Sequence, residues 1–304
     1  MIHRGIRRCF STPSLRSIVN HPGESAYLSS RSADYEALKV DVHEGIASIS
    51  LNRPDKMNAL SVPMWYELID AFKSASRDSD VRVCVLKGEG SHFSSGMDLT
   101  VFSEMRAIAD EELCPGRKRE KVKSSIDFFQ ASVSSPEECT KPVLCLLHGA
   151  VIGGAVDLAT ACDVRYVHND ALLSVKEIDL AIVADVGTMQ RLPHIVGDQR
   201  SRELTYTGRT FTGKEAVDYG LALEGFDTFE ELEDHVMGVA GVISTKSPLT
   251  VRGVKKVAIY TRDHGTEDAL QHVAMHNTAH LFSEDLDRAM EGMMKKEEPV
   301  FRGN

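Results

Sequence analysis

An α/β fold follows from three features of the amino-acid sequence. Two runs, VRVCVLKG (81–88) and PVLCLLHG (142–149), are rich in Val, Leu and Cys, as strands covered on both faces require. Each run ends in a glycine-rich turn, and the second turn opens onto a helical run over 155–161. Beyond Thr210 the strand signals fade and helix-period patterns take over. At 304 residues the chain is long enough to bury a sizeable core.

The elements follow in order. Residues 37–52 (ALKVDVHEGIASISLN) alternate apolar and polar on both sides of His43-Glu44-Gly45, which predicts a hairpin. A helix then starts behind Ser61 as N-cap and sets Trp65, Leu68, Ile69 and Phe72 on one face. The strand in 81–88 leads into the loop GEGSHFSSGMDL. Residues 103–137 are charged and helical in part, interrupted at Cys114-Pro115-Gly116. After 142–149 come two further strands, DVRYVH and LLSV. Helical patterns occupy 213–220, 229–245, 248–262, 266–281 and 283–297. The expected organisation is an α/β core over 36–235 and a helical region over 236–304.

Bulk composition narrows the function classes. The chain is 42% apolar and 26% charged, and its formal charge of −10 argues against a nucleic-acid footprint. No apolar stretch approaches the ~20 residues needed to cross a bilayer, so membrane insertion is not expected. Cys9, Cys84, Cys114, Cys139, Cys145 and Cys162 form no CxxC pair, and most lie in apolar runs, which predicts reduced, buried thiols. Residues 1–30 differ in kind. They carry Arg4, Arg7, Arg8 and Arg16 with no acid before Glu24, the composition of a mitochondrial transit peptide. The ending Arg302-Gly303-Asn304 is not an SKL-type peroxisomal address, and the expected compartment is the mitochondrial matrix.

Three acids stand out between His148 and Pro193, where the sequence is otherwise apolar or small: Asp157, Glu177 and Asp185. Carboxyls hemmed in by Val, Ile, Leu and Ala lose hydration, and their pKa values rise to where they both take and give protons. Gly153-Gly154 precedes the helical run, and such a turn offers main-chain N–H groups to negative charge. Acids beside an anion-stabilising turn suggest chemistry through an enolate. The plainer alternative makes them helix caps or surface ion pairs; three acids together with the glycine turn favour chemistry. Ser94 and Ser95 invite a nucleophile reading, but no GxSxG elbow surrounds them, and loop serines are the better reading. His272, His276 and His280 recur at helical spacing without an attached acid or cysteine, so packing is favoured and no metal is expected. GEGSHFSSG lacks the spacing of a nucleotide-phosphate loop.

Four segments, LNRPDKMNALS (51–61), HFSSGMDL (92–99), HGAVIGGAVDLATACDVRY (148–166) and VKEIDLAIVADVGTMQRLP (175–193), resemble the enoyl-CoA hydratase/isomerase (crotonase) superfamily. Within it the chain is most similar to the dienoyl-CoA isomerase branch, because Asp185 in ADVGT stands where hydratases usually have glycine. The resemblance covers roughly 36–300 and weakens over 103–140. It implies a crotonase-like spiral of repeated ββα units with a helical C-terminal trimerisation region. It further implies an isomerase moving the double bonds of a 3,5-dienoyl-CoA thioester to the 2,4 positions, with Asp157, Glu177 and Asp185 as the proton-transfer acids. By the same resemblance the oxyanion-stabilising N–H groups fall on Ser95 and Gly154. Contacts to the acyl-CoA fall on Lys56, Met57, Ala59, Ser94, Gly96, Met97, Asp98 and Leu99. No cofactor is implied, CoA being part of the substrate, and self-association as a trimer or hexamer is expected. Two departures are Ser95, where alanine is usual, and Ala155, where a third glycine is common. The alternatives are a 2-enoyl-CoA hydratase, a Δ3-Δ2-enoyl-CoA isomerase, or a non-catalytic crotonase-like scaffold that binds RNA.

Overall fold

A computed structural model describes residues 35–110 and 114–303; the leader expected over 1–30 lies outside them. The hairpin forms as predicted, with β1 (Leu38–His43) antiparallel to β2 (Ile46–Leu51) in the register Leu38↔Leu51 to His43↔Ile46. Glu44 and Gly45 both take positive φ to close it. Helix α1 (Val62–Arg77) starts behind Ser61, whose side chain makes no cap bond, and its predicted apolar face is fully enclosed. Strands β3 (Val83–Gly88) and β4 (Val143–Leu147) are parallel neighbours at the centre of the main sheet, which explains their lack of polar alternation.

Helices α2 (Leu99–Ala109) and α3 (Pro115–Glu138) flank the break at Cys114, where Pro115 takes the first helical position. Then follow β5 (Ala150–Ile152), α4 (Gly154–Thr160), β6 (Val164–His168) and β7 (Leu172–Ser174). Two helices absent from the sequence reading, α5 (Thr188–Val196) and α6 (Asp198–Thr207), meet at Gly197. After the short β8 (Phe211–Thr212), α7 (Gly213–Asp218) and β9 (Gly225–Phe226) come α8 (Phe229–Ser244), α9 (Pro248–Asp263), α10 (Thr266–His280) and α11 (Glu284–Lys295).

The six-stranded sheet runs β1-β2-β3-β4-β6-β9, parallel from β2 onward. The second, β5-β7-β8, is fed by strands that leave the first and turn aside, β4 into β5 and β6 into β7. That repeated strand–strand–helix path is the spiral implied by the sequence motifs. Trp65, Phe72, Phe93, Phe129 and Phe211 fill the space between sheets and helices, with the Trp65 and Phe129 rings 5.2 Å apart.

The boundary expected at 235/236 is corrected. It falls inside α8, whose Leu232, Val236 and Ala240 pack on Val83, Val85, Leu144, Leu146 and Tyr166 of the sheet. Without α8 the outer face of the parallel sheet loses its cover, so the core extends through Ser244.

Candidate active site

Two loops at the C-terminal ends of β3 and β4 build the site, where parallel α/β sheets collect their functional groups. The first is organised by Asn58, fully buried and left-handed (φ 52°). Its side-chain oxygen accepts from Arg53 N–H at 2.8 Å, while its amide donates to Glu89 O and His92 O at 2.9 and 2.7 Å. The Ser94 hydroxyl donates to Asn58 O at 2.8 Å and accepts the Gly96 N–H at 3.1 Å. The isolated bridge Ser94↔Val151 then draws this loop onto β5, and Leu60↔Met97 ties it to the segment before α1.

Gly96 (φ +87°) is obligatory at that junction. A Cβ there would stand 2.5 Å from Ile152 O and 3.5 Å from Gly154 N, so the loop reaches the start of α4 only with hydrogen at this Cα. Gly153 (φ +55°) plays the matching part on the other side, where a Cβ would sit 3.1 Å from Glu177 Oε1. This pair of close approaches brings the 94–97 loop, the N-terminus of α4 and Glu177 together.

The three acids share that space. Asp157 is fully buried; its Oδ1 accepts the Thr188 N–H at 2.5 Å, and its Oδ2 is buried without a hydrogen-bond partner among the described residues. Glu177 opens a 3-10 turn (Glu177–Leu180), and its Oε2 is likewise buried without a hydrogen-bond partner among the described residues, facing the Asp157 charge. Two neighbouring carboxyls in an apolar pocket each oppose the other's ionisation. Burial, then the Asp157 charge, pushes Glu177 up to about 7, and burial also raises Asp157. Asp185 is the outermost: its residue is exposed in the single chain, partial burial raises its carboxyl, and its charge reaches both others. Gln130 of α3 fixes its backbone, donating to Asp185 O at 2.7 Å.

The raised Glu177 has a consequence for stability. The native state retains a proton that the unfolded chain, with an ordinary carboxyl near 4.5, releases between pH 4.5 and 7. That contribution is complete below pH 4.5 and is lost as pH rises through about 7. Glu177→Gln is therefore expected to stabilise the protein at pH 8 by on the order of 2 kcal/mol, with the gain shrinking toward pH 4.5. Urea melts of both proteins at pH 5 and 8 measure it; an equal midpoint difference at the two pH values contradicts it.

Ser95 requires a correction. Its N–H donates to Met57 O at 2.9 Å and is occupied within its own loop. The next unpaired amides belong to Met97 and Gly154, neither of which has an acceptor among the described residues. The expected donor Ser95 is thus occupied, and the free amide of the same loop lies two residues later, at Met97. Nothing in the string distinguishes alternate N–H directions in an irregular loop.

Other expected contacts sort by position. Ser94 is fully buried and spent on Asn58 and Gly96, so it pins the loop and does not line it. Asp98 caps α2 through Thr100 N–H at 3.0 Å and pairs with Arg53 at 2.8 Å; burial opposes its ionisation, yet these partners hold the carboxyl below the usual range. Lys56, Met57 and Leu99 are exposed at the rim, and Ala59 and Met97 are half-buried. Lys255 is buried, donating to Pro136 O, Lys141 O and Asp163. His148 is buried against Phe229, with its ring Nε2 3.1 Å from Gly90 O, and burial drives its pKa down to about 4. It does not contact Ser94, so no serine–histidine pair exists here. Gln130, which holds the Asp185 main chain, carried no motif signal because α3 supplies it from distant sequence, whereas Thr188, which holds Asp157, stands inside the ADVGT motif but was not singled out.

Known proteins match this chain in sequence and fold. The enoyl-CoA hydratase/isomerase family model covers residues 41–304. A peroxisomal Δ(3,5)-Δ(2,4)-dienoyl-CoA isomerase of Arabidopsis thaliana is 42% identical over 266 residues, spanning 88% of this chain and 96% of its own. The mitochondrial enzyme of the same name from Rattus norvegicus is 36% identical over 304 residues, 97% of this chain and 91% of its own. The crystal structure of an enoyl-CoA hydratase from Bacillus anthracis superposes with a TM-score of 0.80 at 26% identity, covering 88% of this chain and all of that one. The chain belongs to the enoyl-CoA hydratase/isomerase family.

Proposed function

We propose that this protein is an isomerase converting 3,5-dienoyl-CoA thioesters to 2,4-dienoyl-CoA in fatty-acid β-oxidation. The observation that carries the reading is the cluster of Asp157, Glu177 and Asp185 beside the two unpaired amides of Met97 and Gly154. Isomerisation removes a proton from C2, spreads charge through the thioester and the diene, and returns a proton at C6. The thioester oxygen gains charge, which two fixed N–H donors stabilise at about 3–4 kcal/mol each. Separate acid/base groups are needed because C2 and C6 lie apart along the acyl chain. Glu177 acts near C2 and Asp185 near C6, while Asp157 tunes the Glu177 proton through its charge. Substrate and product are isomers, so the chemistry requires no redox cofactor.

The relatives divide by compartment, mitochondrial in the rat and peroxisomal in the plant; the arginine-bearing, acid-free start of residues 1–30 supports the mitochondrial matrix for this chain. Met275, Phe282, Met293 and Met294 of the last two helices and their connection are exposed, and so much apolar surface supports assembly as a trimer or hexamer.

The experiment supplies purified protein with 3,5-octadienoyl-CoA and follows the conjugated 2,4-dienoyl chromophore, with crotonyl-CoA hydration in parallel. The expected result is chromophore formation outpacing hydration. Hydration alone would reassign the protein as a hydratase.

A further inference from the structure

One face of α3 meets the segment that carries Asp185 and Thr188. Gln130, Val133, Ser134 and Glu137 recur at helical spacing, and all four reach toward residues 185–191. Gln130 donates to Asp185 O at 2.7 Å, and Val133 Cγ1 lies 3.7 Å from where a Cβ on Gly187 would stand. The Arg191 side chain folds back from the first turn of α5 to complete the contact. Its Nε and Nη2 donate to Glu137 Oε2 at 3.1 and 2.7 Å, and Nη2 also donates to the Ser134 hydroxyl oxygen at 2.9 Å. Arg262 of α9 pairs with the other Glu137 oxygen. Gly187 makes room for this arrangement, because a Cβ there would overlap Arg191 Nη1.

We propose that Arg191 is a positioning residue for the acid cluster: clamped on Glu137, it fixes the Gly187–Thr188 turn so that the Thr188 N–H points at Asp157. The Arg191 N–H donates to Gly187 O at 3.0 Å, so main chain and guanidinium grip the same turn. Thr188 follows directly, and its N–H meets Asp157 Oδ1 at 2.5 Å. Asp157 in turn faces Glu177, so any drift of the turn reaches both buried carboxyls. Arg191 makes no hydrogen bond or ion pair to the three acids among the described residues, and it acts only through Thr188.

The clamp is built to be stiff. The Arg191 and Glu137 side chains are only 11% and 17% exposed, so water screens the pair weakly. Burial opposes ionisation of Glu137, yet the bonds from Arg191 and Arg262 hold its carboxyl below the usual range. A planar guanidinium serves Ser134 and Glu137 from one fixed fork, which the single ammonium of a lysine cannot do. Lys123 and Asp127 on the same helix provide an internal contrast. They pair at 2.7 Å but are 74% and 52% exposed, and such a surface pair fixes little.

The test compares the full chain with Arg191→Gln, Arg191→Lys and Glu137→Gln by hydrogen–deuterium exchange and by turnover of 3,5-octadienoyl-CoA. The Thr188 amide is expected to exchange roughly tenfold faster in Arg191→Gln and Glu137→Gln, while amides of β3 and β4 keep parental rates. In both, kcat should fall by about 10–10²-fold with KM nearly constant, and Arg191→Lys should lose less on each measure. Glu137→Gln keeps size and shape, and it decides if Arg191→Gln folds poorly. The turnover measurement rests on the isomerase reading, whereas the exchange measurement does not. A parent that forms no dienoyl chromophore removes that reading, and exchange at Thr188 then decides alone. Parental exchange at Thr188, equal acceleration across the sheet, or parental kcat in a variant whose Thr188 amide has loosened each overturns the proposal.

Discussion

Asp185→Asn is expected to lower turnover of 3,5-octadienoyl-CoA by about 10²–10⁴-fold, the range lost when one positioned acid/base group is removed. The carboxyl is the one group of the three that reaches the open side of the site, and its side chain makes no hydrogen bond among the described residues. Amide for carboxyl keeps size and leaves Gln130 bound to the main-chain oxygen, so the melting temperature should stay close to that of the parent. Loss of activity with an unchanged melt is therefore a chemical effect. Asp157 offers the contrast, because its Oδ1 holds the Thr188 N–H and its change disturbs structure as well as charge. If Asp185→Asn retains parental turnover, the second proton-transfer group has been misassigned.

The second large effect concerns the main chain. Gly96→Ala is expected to reduce kcat by about 10²–10³-fold, the loss associated with one oxyanion donor. The added methyl would stand 2.5 Å from Ile152 O at a φ of +87°, so the 94–97 loop must withdraw from β5 and carry the Met97 N–H with it. Because the alanine also strains the folded state by about 1–3 kcal/mol, activity is read well below the melting temperature. A donor acting mainly on the transition state predicts a fall in kcat with KM nearly constant. A variant with parental kcat would show that the Met97 amide does not meet developing charge.

The two substitutions probe different kinds of information. The acids are chemically distinctive letters in an apolar stretch, and Asp157, Glu177 and Asp185 are legible because few other reasons place carboxyls there. The hairpin, α1, β3, β4 and the five C-terminal helices are legible for a related reason, since strand alternation, buried runs and helical periodicity are local patterns. Helices α5 and α6 were not, because 181–208 is broken by Gly187, Pro193 and Gly197 and carries little apolar periodicity in its second half.

By itself the sequence determined the α/β class, the family and the identity of the three acids, since each rests on residue chemistry or local spacing. Only the tertiary structure decided which amide is free, that the Asp157 charge meets Glu177 in a buried pocket, and that α8 belongs to the core. Those depend on which groups meet across distant segments: Ser95 N–H on Met57 O, Glu177 against Asp157, and Leu232 against the sheet. Hydrogen-bond direction and desolvation are properties of a packed arrangement, and no residue carries them alone.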